Sequence, residues 1–103
     1  MPDDIKMMTL AEIKYRLGQQ KPKLAAQYAV KELGIFGSYV RGEQQPNSDL
    51  DILIDFDEYP SLLEFIELEQ ALSEQLGLPV DLVMKSDLKP RLRQRILQEV
   101  VYL

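Results

Sequence analysis

From Asp49 to Phe56 the chain alternates without interruption: Leu50, Ile52, Ile54 and Phe56 fall on one side, and Asp49, Asp51, Leu53 and Asp55 on the other. Side chains two apart on an extended backbone project to the same face, so this is a strand with one apolar face and two early carboxylates together on the opposite one. Ahead of it, Leu33-Gly34-Ile35-Phe36 reads as a short buried strand that delivers the chain to Gly37-Ser38, and Pro79 to Met84 reads as a third strand. Between the last two strands, Leu62, Leu63, Phe65, Ile66, Leu68, Leu72 and Leu76 recur at helical spacing. Ser61 is a candidate cap at the start of that helix, and Gly77 stops it.

Helices also flank the sheet. Thr9, with Glu12 three residues on, makes a capping box for a helix through Leu10, Ile13 and Leu17, and Gly18 is expected to end it. A second helix from Pro22 to Lys31 would place Leu24, Ala25, Tyr28 and Ala29 on one face, with Pro22 in its first turn. Tyr39 to Gly42 predicts a short helix. A last helix from Asp87 carries Leu88, Leu92, Ile96, Leu97 and Val100 before Val101-Tyr102-Leu103. The order predicts an α/β (α+β) sandwich, a small mixed sheet of about three or four strands packed with about five helices.

Composition bounds this picture. With 103 residues the chain is expected to form one domain over 1–103. A net charge of −5 argues against direct nucleic-acid binding, although a nucleotide carrying its own magnesium remains compatible. No apolar run approaches the ~20 residues that span a bilayer, and Met1-Pro2-Asp3-Asp4 is acidic where a signal peptide would be basic, so a cytoplasmic protein with no membrane partner is expected. There is no Cys and no His. Thiolate chemistry, cysteine zinc sites and the commonest general base are thereby excluded, and any metal must be held by oxygen, the ligand set of hard cations such as Mg²⁺ or Mn²⁺.

The candidate chemistry sits in two places. Residues two apart on a strand have Cα atoms roughly 6.5–7 Å apart, so Asp49 and Asp51 can converge on ions between them. Cations in a phosphoryl-transfer site lie about 3.5–4 Å from each other, a gap such a pair can bridge. Asp55, ~13 Å along the strand from Asp51, is too far away to share that site. Asp81 is the acidic residue in the apolar run Val80 to Met84, and is expected to be buried with a cationic neighbour, since a buried unpaired carboxylate costs several kcal/mol. A shared metal would satisfy it, as would Lys85 or an arginine. Arg41 has two readings, a phosphate contact or a salt bridge to Glu43 or an aspartate. Arg91, Arg93, Arg95, Lys85 and Lys89 make the C-terminal end locally basic, read as a solvated helix face before a docking surface. Tyr39 beside the turn reads as packing before self-modification.

Gly37-Ser38, ten intervening residues and then Asp49-Leu50-Asp51 resemble the glycine-serine and DxD signature of the DNA polymerase beta-like nucleotidyltransferase superfamily. With no accessory domain, the chain is similar over essentially its whole length to the minimal nucleotidyltransferase branch, the antitoxin half of HEPN/MNT toxin–antitoxin pairs. The resemblance implies the nucleotidyltransferase fold, and implies that Gly37 and Ser38 bind the triphosphate of ATP. It implies that Asp49 and Asp51 hold a pair of Mg²⁺ ions, and that Asp81 completes the catalytic metal site and helps deprotonate the acceptor. Arg41 matches the arginine of the family's GSxxRG turn, where Val40 replaces the more usual alanine. In that family, AMP passes from ATP to a tyrosine of the partner HEPN ribonuclease, which implies a hetero-oligomer with that toxin. Two alternatives stand beside this reading: transfer to a small molecule, and a non-catalytic antitoxin that acts by binding. A template-directed polymerase would need a basic groove and a longer chain.

Overall fold

The computed structural model describes residues 8–103. The acidic Met1-Pro2-Asp3-Asp4 segment lies outside the described residues. The elements run α1 (Leu10–Tyr28), β1 (Val30–Phe36), α2 (Ser38–Arg41), β2 (Leu50–Phe56), α3 (Leu62–Leu76), β3 (Val80–Met84), a 3₁₀ turn (Lys85–Asp87), α4 (Pro90–Glu99) and β4 (Val101–Tyr102). The sheet order is β3-β2-β1-β4, with β2 parallel to β3 and β1 antiparallel to both β2 and β4. The expected mixed sheet is therefore present, and the terminal Val101-Tyr102 supplies its fourth strand.

The two opening helices expected from Gly18 and Pro22 are one. Thr9 Oγ1 accepts from the Glu12 amide at 3.1 Å and Glu12 Oε1 accepts from the Thr9 amide at 3.2 Å, so the predicted capping box starts α1. Pro22 then lies inside the helix, where it removes a hydrogen bond at a cost of about 3 kcal/mol. Ile13, Leu17 and Leu24, all buried, explain why the helix continues. Their spacing keeps one stripe in phase across Pro22, and burying a leucine contributes about 1.5–3 kcal/mol. The helix ends instead at Ala29, whose φ of 58° is left-handed.

β1 begins at Val30, earlier than the apolar run alone suggested. Val30 and Leu33 both enter the core although three residues apart, and a register irregularity between Val30 and Glu32 permits this. One face of the sheet, bearing Leu33, Ile35, Leu50, Ile52, Ile54, Phe56, Val80 and Leu82, packs with α1 and α3 in a single buried cluster. From α3 this cluster takes Leu68, Leu72 and Leu76, whereas Leu62 and Leu63 are about three-quarters exposed and Ile66 is exposed too. The helical repeat of apolar residues thus overstated how much of α3 is buried. The opposite sheet face carries Phe36, Asp51, Leu53, Asp55 and Asp81, with Phe36 and Leu53 buried.

Two edges locate the site. At the β3 edge, Ser73 Oγ accepts from the Val80 amide at 3.0 Å and Glu69 Oε2 from the Leu82 amide at 2.9 Å. Side chains of α3 thus satisfy the donors that flank Asp81 and protect an otherwise open strand edge. At the other edge, β4 pairs Tyr102 with Gly34 and Val101 with Ile35, and the Leu103 amide donates to the Leu33 carbonyl at 2.9 Å. Lys21 Nζ also donates to the Leu103 carbonyl oxygen. A Cβ built at Gly34 would lie 2.6 Å from Val100 Cγ2 and 3.2 Å from Tyr102 Cδ1, so β4 approaches a position that only glycine leaves open. Gly34→Ala is expected to lower stability by about 1–3 kcal/mol through overpacking, read as a reduced urea midpoint; an unchanged midpoint would mean that β4 does not pack there.

Candidate active site

β1 ends by feeding Gly37, whose φ of 84° and ψ of −153° belong to a region that glycine alone enters readily. A Cβ at this position would lie 2.1 Å from Asp51 Oδ2, so the carboxylate of β2 is seated directly against the glycine backbone. Phe36 opposite Asp51 in the β1–β2 register brings the two together. Ser38 opens α2 and is half-buried, while Tyr39 turns into the core. Burial raises the Tyr39 phenol above its ordinary value, in keeping with packing.

Asp81 is the β3 partner of Asp51 in a parallel ladder, so the two side chains emerge on the same face from adjacent strands. Asp49, just before β2, shares that face by alternation. One expectation is corrected: Asp81 is exposed, not buried. A strand position at a sheet edge is open to solvent on the side away from α3, which a run of apolar neighbours does not reveal. Lys85 is not its partner either, because Lys85 Nζ pairs with Glu32 Oε1 at 2.7 Å.

The electrostatics of the cluster centre on Asp51. Burial raises its pKa, the neighbouring charges of Asp81 and Asp49 raise it further, and together they bring it to about 6 despite an opposing contribution from Arg41. Among the described residues no cationic side chain forms an ion pair with Asp49, Asp51 or Asp81. Nor is any group of three His, Cys, Asp or Glu side chains among them arranged to hold a metal ion by itself. The carboxylates share a face without closing around a point, as mutually repelling charges do. Their donor set fits a hard divalent cation on two counts: all donors are oxygens, and their repulsion is of the kind that a cation relieves.

Arg41 makes the salt bridge to Glu43 that the sequence offered and a second one, to Glu99, that it did not. Its Nε donates to Glu43 Oε1 at 2.9 Å and its Nη1 to Glu99 Oε1 at 2.7 Å. The other oxygen of Glu99 accepts from the Gly37 amide at 2.7 Å. These bonds hold the Arg41 guanidinium above its ordinary pKa, the Glu43 contact most strongly. Partial burial pushes the Glu99 carboxyl up, but the hydrogen bonds from Arg41 and Gly37 outweigh it and leave the group below its ordinary value. Glu99 comes from the far end of the chain, and its one visible signal is that it is acidic at the close of a helix otherwise rich in arginine.

Asp51 carries a cost that depends on pH. A carboxyl whose folded pKa is raised destabilises the fold as it ionises, so the cost is absent below about pH 4, grows as pH rises through about 6 and is complete above it. In chelator-treated protein, Asp51→Asn should melt above the parent at pH 7.5, and the difference should fade toward pH 4. A variant that melts below the parent at pH 7.5 would contradict the placement.

A family model described as nucleotidyltransferase domain matches residues 17–103. The chain is 56% identical over 96 residues to protein adenylyltransferase MntA of Thermococcus cleftensis, covering 93% of this chain and 97% of that protein. A solved structure assigned to the minimal nucleotidyltransferases is similar at 34% identity and a TM-score of 0.74, covering 95% of this chain and 99% of that one. A toxin–antitoxin crystal structure with AMP-PNP is similar at 28% identity and a TM-score of 0.69, covering 82% of this chain and 69% of that chain. By its match over residues 17–103 and its identity to a protein adenylyltransferase, the chain belongs to the nucleotidyltransferase domain family, as a minimal protein adenylyltransferase.

Proposed function

We propose that this chain is an antitoxin that transfers AMP from ATP to a tyrosine of a partner HEPN ribonuclease, in the cytoplasm, and so neutralises it. The observation that carries the reading is the seating of Asp51 against the Gly37 backbone, in register with Asp81, because it sets acidic groups beside the turn that would hold phosphates. The likeness to MntA supports adenylyl transfer, and the likeness to a toxin–antitoxin structure with AMP-PNP supports both an adenine nucleotide and a toxin partner.

The Gly37-Ser38 turn would present its backbone and the Ser38 hydroxyl to the triphosphate, with Arg41 alongside. Asp49, Asp51 and Asp81 would hold Mg²⁺, which when bound supplies positive charge to the phosphates and lowers the pKa of a coordinated oxygen. The tyrosine oxygen forms a bond to the α-phosphorus as the bond to pyrophosphate breaks in line. Asp81, exposed beside Asp51, would take the phenolic proton, so that the products are the tyrosyl-AMP ester and pyrophosphate. Ser38 and the turn stabilise the charge that develops on the leaving group.

Incubated with ATP, Mg²⁺ and its HEPN partner, the purified protein should add AMP to a partner tyrosine, seen as a mass gain on the intact partner. Asp49→Asn and Asp51→Asn should each reduce that addition by about 100-fold or more while keeping the fold, a barrier increase of about 2.7 kcal/mol. Equal rates in these variants would remove the carboxylates from the mechanism. Neutralisation of the toxin by the parent with no mass gain would leave binding alone as the function.

A further inference from the structure

Among the described residues, Glu99 is the one acidic side chain bonded to both the glycine-serine turn and Arg41, the two groups that the proposed function assigns to the nucleotide phosphates. Its two oxygens divide the work: one takes the Gly37 amide and the other takes Arg41 Nη1, each at 2.7 Å. The carboxylate is largely sheltered, with 18% of its side-chain surface exposed against 38% for Arg41. It reaches this position because α4 ends at Glu99 and the chain passes at once into β4, which pairs with β1 beside the turn. β4 is in turn fastened by the Leu103 amide to the Leu33 carbonyl and by Lys21 to the Leu103 carbonyl.

We infer that Glu99 is a positioning residue for the nucleotide site: through one bidentate carboxylate it fixes the Gly37 turn over Asp51 and holds the Arg41 guanidinium where its remaining donors can grip phosphate. The inference rests on the nucleotide reading of Gly37, Ser38 and Arg41. Arg41 has five donors in a fixed planar fork, of which Glu43 and Glu99 each engage one, so a phosphate can be added without either being given up. The turn gains as much. Gly37 occupies a backbone conformation that glycine enters readily, one of many open to it, so bonds from its surroundings are what select this one. Asp51 supplies close contact from the sheet, and Glu99 supplies a charge-assisted hydrogen bond from the opposite edge. The C-terminal segment is therefore part of the nucleotide site, although the glycine-serine and DxD motifs lie far from it in sequence.

The test is a double-mutant cycle on the full chain, reading the Kd for a non-hydrolysable ATP analogue with Mg²⁺ by calorimetry and kcat for AMP transfer at saturating ATP. Glu99→Ala should weaken the analogue by about 10-fold, with kcat reduced by no more than about 3-fold, because Glu99 acts through Gly37 and Arg41 and not on the reacting atoms. In an Arg41→Ala background the same change should weaken binding by less than about 3-fold, because one of its two partners is already gone. Glu99→Gln keeps the volume and one acceptor, and should fall between parent and alanine; it decides the matter if the alanine variant melts below the assay temperature. Unchanged or tighter binding in Glu99→Ala, or an equal loss with and without Arg41, would overturn the inference. A parent that binds no analogue would instead overturn the nucleotide reading itself, and the inference with it.

Discussion

Everything near the site follows from a steric constraint between two backbone segments. Asp51 Oδ2 fills the space that any side chain at residue 37 would need, so the turn and the carboxylate can meet only if that residue is glycine. Asp51 is partly out of water there, and the β2–β3 register and strand alternation set it beside Asp81 and Asp49, which together lift its pKa to about 6. A group destabilised in this way in the absence of a cation is a group prepared to bind one. In the proposed function, affinity for a divalent ion would arise from the same arrangement that raises this pKa.

The rest of the fold holds that contact in place from both sides. Ser73 and Glu69 of α3 bind the amides on either side of Asp81 and keep β3 in register beside β2. Across the sheet, β4 closes the edge of β1 and places Glu99 under the turn. Beneath both lies the cluster that unites α1, α3 and one sheet face. A small domain commits most of its interior to positioning a few polar groups on the opposite face, which it shares with the buried Leu53 and Phe36.

What could be read from the sequence divides along physical lines. β2 was legible because strict alternation over Asp49 to Phe56 has one structural solution, and the resemblance of Gly37-Ser38 and the DxD pair to a known signature tied turn to strand. α3 was legible through its caps, Ser61 and Gly77. The single helix across Pro22 was not, because local preference argued for a break and only the tertiary burial of Leu24 overrides it. The exposure of Asp81 was hidden because a strand at a sheet edge has the same composition as one inside it. Glu99 was hidden for a different reason: its role arises from strand pairing between the chain's end and β1, and no local pattern encodes a contact over such a separation.

The claim that a divalent ion belongs among the carboxylates beneath the turn is tested most directly by substoichiometric Mn²⁺ with a non-hydrolysable ATP analogue, followed by paramagnetic broadening of assigned amide signals. The expected result is that Gly37, Ser38, Asp51 and Asp81 broaden first, while Glu67 and Glu74 on α3 stay sharp. Broadening centred on α3, or none near Gly37 at any Mn²⁺ level that saturates the analogue, would contradict it.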